Sequence, residues 1–556
     1  MRSEIAARPT PLLLLASVLS VFVSANAPIR AQEASGGLAG TVTSVEEGAM
    51  EGVVVSARKD GSTITVSVDS DKQGHFGFPA DRVEPGHYTL AIRAVGYDLD
   101  EPAEATFAAH KTATIDLKLR KTKNLAQQLT SAEWLMSMSG TDQQKTSLMN
   151  CVNCHTLQRP LTSTHTADEF TQVIYRMMGY ASGSQPIRPQ RRVNADAVAG
   201  NPENYRMLAG YLASVNLRSG PAWGYPLKTL PRPTGRSTRV IITEYRLPRP
   251  TIMPHDVMLD EHGTVWFSDF GEQFFGKLDP KTGKATEWPV PSPKPRYPEG
   301  MLELKEDTDG QFWLGMMFQG AVARFNPKTE KFKIYSGPPE INDEGFQVNM
   351  LAQHVAVDGK VWTSGKQDEI YRVDVNTGKY EKFLPLKQLP GPGPYGIYGL
   401  TTDSHNNLYF AEIGDSHIGR IDAKTGEVKF YATPTRHSRP RRIQADSQDR
   451  LWFGEYTGNR VGMFDPKTEK FTEWELPTPW SGPYDATCDK NGELWTGGMT
   501  NDRVSRINPK TGETVEYLLP KSTNIRNVFV DNSTTPVTFW TGSNHGGAIL
   551  KVEPLD

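Results

Sequence analysis

The chain has 556 residues, with 61 Lys and Arg against 64 Asp and Glu and a formal net charge of −3. That length holds several domains with cores of their own, and the near-balance of charge argues against a protein built to attract nucleic acid or an anionic membrane. The 49 glycines and 40 prolines, with no long helical periodicity beyond residue 220, predict a mainly β, turn-rich chain.

Arg2 and Arg8 precede the apolar run Leu12 to Val23, and the small residues Ala25, Ala27 and Ala31 follow. This is the pattern of an export signal, read here as residues 1–31. The run is short for a membrane span and has no successor, so the expected product is periplasmic or secreted and not membrane-spanning.

Residues 36–120 alternate apolar and polar positions in segments such as Gly52 to Ala57, Thr63 to Val68, His87 to Ile92 and Ala113 to Leu119. Turn residues at Gly61, Asp71 to Gly74 and Glu84-Pro85-Gly86 separate them, as in a small antiparallel sandwich. The pieces Leu38 to Val42, Asp71 to Phe76, Pro85 to Leu90 and Gly96-Tyr97 resemble the carboxypeptidase regulatory-like family, a transthyretin-type β-sandwich. The resemblance implies a structural or docking module, with His75 and His87 as surface or turn residues.

Lys121 to Gln128 reads as a polar linker, and residues 130–220 as helical. Ser131 to Leu135 has the look of a capped helix start, and apolar stripes mark helices over Ala167 to Met178 and Asn204 to Leu217. Between them stands Cys151-Val152-Asn153-Cys154-His155, the c-type haem attachment signature. Its two thiols would hold the porphyrin and His155 one axial face of the iron. A disulfide or half of a zinc site are the other readings, although Cys488 is the only further cysteine. With the closing Leu208 to Leu212, the segment resembles the mono-haem cytochrome c family. That resemblance implies haem c, electron transfer and a methionine sixth ligand, Met177 or Met178. Met207, His165, an open sixth site and ordinary core methionines remain alternatives. Arg188, Arg191 and Arg192 form a basic loop.

From about residue 240 one turn recurs six times: at Asp279 to Gly283, Asn326 to Glu330, Asp374 to Gly378, Asp422 to Gly426, Asp465 to Glu469 and Asn508 to Gly512. The copies are 43 to 48 residues apart, which is the length of a propeller blade. Aromatics at Trp266, Trp313, Trp362, Tyr409, Trp452 and Trp495 precede the turns, and Trp540 begins a seventh unit. Thr243 to Pro248 matches Thr472 to Pro477, so the first strand is expected to complete the last blade and close a seven-bladed ring over 240–556.

The first two strands of a blade run antiparallel, so the residue starting one is expected beside the residue ending the other, and one channel mouth gathers His255 with Asp269, Tyr395 with Glu412, and Arg441 with Glu455. Glu299, Gln353 or His354, Tyr484, Arg526, Asn544 and His545 would join them. Water-filled polar lining is the plain reading, and a ligand or catalytic site the sharper one. Arg441, Arg442 and Arg526 suit an anionic or oxygen-rich small molecule. His255 with Asp269 suits a base and its orienter, or a divalent metal with Glu412 or Glu455.

Pro254 to Val257 with Trp266 to Asp269, Gly393 to Ile397, and Leu451 to Glu455 resemble the streptogramin lyase (virginiamycin B lyase) family. The resemblance implies a seven-bladed propeller that opens a cyclic depsipeptide by elimination, with magnesium, a histidine base and glutamates at the mouth. Here the matching blade begins Pro440-Arg441-Arg442-Ile443, with arginine in the histidine's place, and a guanidinium is no base near neutral pH. Cys488 reads as a small buried thiol.

Three functional readings follow. The first is an exported haem c oxidoreductase whose propeller binds a small molecule or a redox partner protein. The second is a lyase dependent on a divalent metal such as Mg in the propeller, with an accessory haem domain. The third is a sensing or binding assembly without turnover.

Overall fold

The structure, a computed structural model, describes residues 37–195, 200–217, 223–339, 358–365, 368–391, 393 and 395–556. The export signal and the channel positions Gln353 and His354 lie outside the described residues.

The N-terminal unit is a two-sheet sandwich. In one sheet Gly37–Ser44 runs parallel to Thr112–Lys121 and antiparallel to His75–Phe78. The other sheet orders Ala103–Phe107, Gly86–Arg93, Val54–Lys59 and Ile64–Asp69. Alternate residues of the two sheets, among them Leu38, Val42, Val55, Val66, Phe76, Leu90 and Leu117, meet in a common core.

The repeat becomes a seven-bladed β-propeller, and its recurring turn has a local cause. The first residue bends the chain through its own side chain. Asp279 Oδ1 accepts from the Lys281 N–H, Asn326 Oδ1 from Lys328 and Asp465 Oδ1 from Lys467, each at 2.9 Å. The fifth residue must then enter the left-handed region, with φ +67° at Gly283 and +76° at Gly512, and +54° where Glu330 and Glu469 replace glycine. A second staple fixes the strand-end tryptophans. Trp266, Trp313, Trp452 and Trp495 each donate their indole N–H to an aspartate six residues earlier, at 2.8 to 2.9 Å.

Closure follows the expected scheme. Val240–Arg246 pairs antiparallel with Ala548–Pro554, Ile242 lying opposite Val552. Its other edge pairs with Ile64–Asp69 of the sandwich, Thr243 opposite Val66. The last blade and one sandwich sheet are therefore a single eight-stranded sheet, and the sandwich is a lateral extension of the ring.

The intervening segment is helical. Thr130 caps Ser131–Ser137 in a reciprocal box with Glu133, and Thr166 caps Ala167–Met178 in the same way with Glu169. Pro202–Val215 follows. The expected polar linker is instead tied down: Gln128 bonds the Gly96 N–H at 2.7 Å, the Tyr97 carbonyl at 2.9 Å and Asp98 at 2.8 Å. The helices dock on the ring, where Trp134, Leu148, Met149 and Val152 share one core with Tyr456, Tyr484 and Met499. No described helix is long and apolar enough to cross a membrane.

Candidate functional site

The inner strand of a blade is not regularly paired. In five blades the register slips just past its start, between Pro254 and Val257, Met301 and Leu304, Ile397 and Leu400, Pro440 and Ile443, and Pro483 and Ala486. Each slip is a β-bulge, a device that re-aims side chains. The re-aimed residues form two layers at one end of the channel: His255, Tyr398, Arg441 and Tyr484, and beneath them Asp256, Glu303, Arg442 and Asp485.

The bulge corrects the expected pairs. Asp269 lies opposite Pro254, Glu412 opposite Ile397 and Glu455 opposite Pro440. The neighbouring His255 and Arg441 thus leave the strand on the other side of the pleat. His255 is oriented by Asp256, with Nδ1 2.7 Å from Oδ1, and not by Asp269. Asp269 instead accepts from Arg249 at 2.6 Å and from the Met253 and Gly271 N–H groups at 3.0 and 2.9 Å. Glu412 takes the Gly396, Gly414 and Asp415 N–H groups at 2.9, 2.7 and 3.0 Å. Tyr395 turns its hydroxyl to the Pro390 carbonyl at 2.9 Å, and Tyr398 holds the place expected of it. Glu455 is buried beside Glu473, and burial with that neighbour pushes its pKa up to about 8.

The lower layer pairs its charges. Arg442 donates to Asp256 at 2.8 Å and Glu303 at 2.7 Å, with Asp485 3.9 Å away. Burial opposes the ionised form of all three acids. It takes Glu303 up to about 7 and raises Asp485, while at Asp256 Arg442 and His255 outweigh it and leave a pKa of about 2. The enclosed space beside Arg442 is about 10 Å³, room for one water.

The upper layer is not paired in this way. Arg441 is boxed by the rings of Tyr456, Tyr484 and Tyr398, with centroids at 4.3, 4.3 and 5.2 Å, and its Nη1 donates to Met499 Sδ at 3.4 Å. Arg526 lies 4.6 Å over Phe270 and bonds Asn524 at 2.6 Å. Among the described residues neither guanidinium has a carboxylate within salt-bridge reach, although both are buried. Burial pushes His255 down to about 3, and burial with Arg526 and His155 nearby does the same to His545, so both imidazoles are neutral. His255 Nε2 has no hydrogen-bond partner among the described residues. Glu299 stands outside this cluster, paired with Arg188 at 2.9 Å.

A short 3₁₀ turn, Met149–Asn153, roofs the upper layer. Tyr456 donates to the Met149 carbonyl at 2.8 Å, Asn524 to Val152 at 3.1 Å, and Arg526 to Asn153. Cys151 and Cys154 are half-buried free thiols; burial takes Cys151 up to about 11 and raises Cys154. His155 Nδ1 lies 2.9 Å from the Thr156 carbonyl, and burial lowers its pKa. Met177 and Met178 are not core residues: they are 38% and 39% exposed, on a helix that packs chiefly on Pro202–Val215.

Sequence reading missed the lower acids Asp256, Glu303 and Asp485, and also Tyr398 and Tyr456. Overlaying the inner-strand starts Pro-His-Asp, Pro-Arg-Arg and Pro-Tyr-Asp would have exposed the two layers.

Residues 37–120 match the model of the carboxypeptidase regulatory-like domain, and residues 237–496 and 398–554 match that of the virginiamycin B lyase family. No curated protein matches the chain in sequence. Among solved structures, a streptogramin B lyase is similar at 23% identity and a TM-score of 0.49, covering 58% of this chain and 100% of its own. A catalytically inactive variant of virginiamycin B lyase from Staphylococcus aureus, solved with quinupristin, gives 23%, 0.48, 56% and 99% for the same measures. The extracellular domain of a hybrid two-component system from Bacteroides thetaiotaomicron gives 18%, 0.44, 55% and 41%.

These findings do not support the cytochrome c, haem and electron-transfer assignments. The matched families account for the sandwich and the ring and neither is a cytochrome, and no group of three or more His, Cys, Asp or Glu among the described residues could hold a metal. The Cys-x-x-Cys-His run is observed as the roof of the channel mouth. With its family model matching more than half of the chain, the protein belongs to the virginiamycin B lyase family.

Proposed function

We propose that this protein is an exported binding or sensing member of its family, whose propeller mouth takes a small oxyanion such as a carboxylate or phosphate. The observation that carries the reading is the pair Arg441 and Arg526, buried without a carboxylate partner among the described residues. An unpaired buried charge costs several kcal/mol, and a bound anion would offset that cost through charge-assisted hydrogen bonds. The neutral His255 Nε2 supplies a further polar contact.

The same geometry speaks against ester cleavage with magnesium. The family's histidine position is Arg441, which cannot take a proton. Asp269 and Glu412 already spend their oxygens on Arg249 and backbone N–H groups, and Glu455, with a pKa near 8, is largely protonated at neutral pH. The residues present therefore do not fit a divalent cation.

Titration calorimetry with citrate and with inorganic phosphate tests the reading. Wild type should bind at least one of them, and Arg441→Gln with Arg526→Gln should weaken that binding about 100-fold, the scale of losing two charge-assisted contacts. Binding unchanged by the double substitution, or absent in wild type, would refute the site. Ring-opened quinupristin in the presence of magnesium would restore the lyase reading.

A further inference from the structure

We infer that the turn from Met149 to His155 is a lid that competes with the ligand for Arg526, so that filling the mouth loosens the helical segment. The inference rests on the oxyanion reading above and names how that site is controlled.

Three side chains of the ring hold this turn by its backbone carbonyls: Tyr456 on Met149, Asn524 on Val152 and Arg526 on Asn153. Backbone carbonyls are neutral acceptors. They satisfy a guanidinium's hydrogen bonds and leave its charge uncompensated, so an oxyanion is the stronger partner. Arg526 also binds Asn524 Oδ1 at 2.6 Å, and Asn524 in turn holds Val152, so a shift of Arg526 disturbs two of the three ties. Tyr456 likewise serves both sides, one face against Arg441 at 4.3 Å and its hydroxyl on the lid. In the closed state Arg526 is 2% and Arg441 8% exposed, and the turn lies on Arg526 through the Asn153 carbonyl. Entry therefore requires the turn to lift.

The coupling is reciprocal by linkage: what weakens the lid strengthens the ligand, and the ligand weakens the lid. The turn continues into Leu157 and Leu161, which share the helical core with Trp134 and Tyr211. Ligand at the ring is thereby read out in the helices.

Hydrogen–deuterium exchange of the 149–157 backbone, measured on the full chain with and without saturating citrate or phosphate, tests the idea. Exchange there should speed up about fivefold or more on saturation. Asn524→Ala should do the same without ligand and tighten anion binding about fivefold. Tyr456→Phe, which keeps the ring and deletes only the bond to Met149, is the gentler second variant and should shift both readings the same way. Anion bound by calorimetry with exchange unchanged or slowed would overturn the lid while leaving the anion site standing. No anion bound in calorimetry would fell the site, and the lid with it.

Discussion

Replacing Glu455 by Gln removes a carboxyl shielded from solvent beside Glu473, its pKa pushed up to about 8 chiefly by burial. In an unfolded chain the same group titrates near 4.3. Between these values the folded protein keeps a proton that the unfolded chain releases. Wild type therefore has the full stability of this group below about pH 4, and loses it as pH rises toward 8 at about 1.4 kcal/mol per pH unit. Glutamine has the shape of the acid and does not titrate. The variant should match wild type near pH 4.5 and exceed it by about 3 kcal/mol near pH 7. Titrating groups remote from Glu455 are common to both proteins and cancel in the difference. Urea unfolding followed by tryptophan fluorescence at about pH 4.5, 6 and 7 gives that difference directly. A gap that stays constant with pH, or one that narrows as pH rises, would refute the buried-acid account.

The paired lower layer and the shared sheet make two further predictions. Asp256→Asn takes a charge from Arg442, 2.8 Å away, and the orienting acceptor from His255. It should cost about 3–5 kcal/mol, read as a lower urea midpoint, and an unchanged midpoint would contradict the charge pairing. Val66→Pro places a residue without an N–H in a strand flanked by Ala57 on one side and Thr243 on the other. It should destabilise by about 3 kcal/mol or more and lower the melting of the ring as well as the sandwich in calorimetry. A ring that melts at its wild-type temperature would show the two to be independent.

What the sequence made legible was local and repeated. The Asx-type turn and the strand-end aromatics recur because each is satisfied within a few residues, Asp279 bonding Lys281 and Trp266 bonding Asp260, so they mark blades without knowledge of the tertiary fold. The match of Thr243 to Pro248 with another outer strand gave the closure. The site was harder because a bulge is invisible to a pattern of alternation. One extra residue after Pro254 and after Pro440 re-aims His255 and Arg441 away from Asp269 and Glu455. The five-residue cysteine motif misled for the opposite reason. It is wholly local, whereas its role as a roof depends on Tyr456, Asn524 and Arg526, some 300 or more positions further along the chain. The fusion of sandwich and ring rests on edge pairing between Ile64–Asp69 and Val240–Arg246, and nothing in either strand's composition names its partner.

That edge pairing bears on how the ring is assembled during synthesis. Val240–Arg246 leaves the ribosome about 300 residues before Ala548–Pro554, and a lone strand waiting so long for so distant a partner is an invitation to pair with a neighbouring chain. Here a finished neighbour, Ile64–Asp69, is already made when it emerges. The N-terminal unit thus serves as a cradle that holds the first strand in register until the last one arrives.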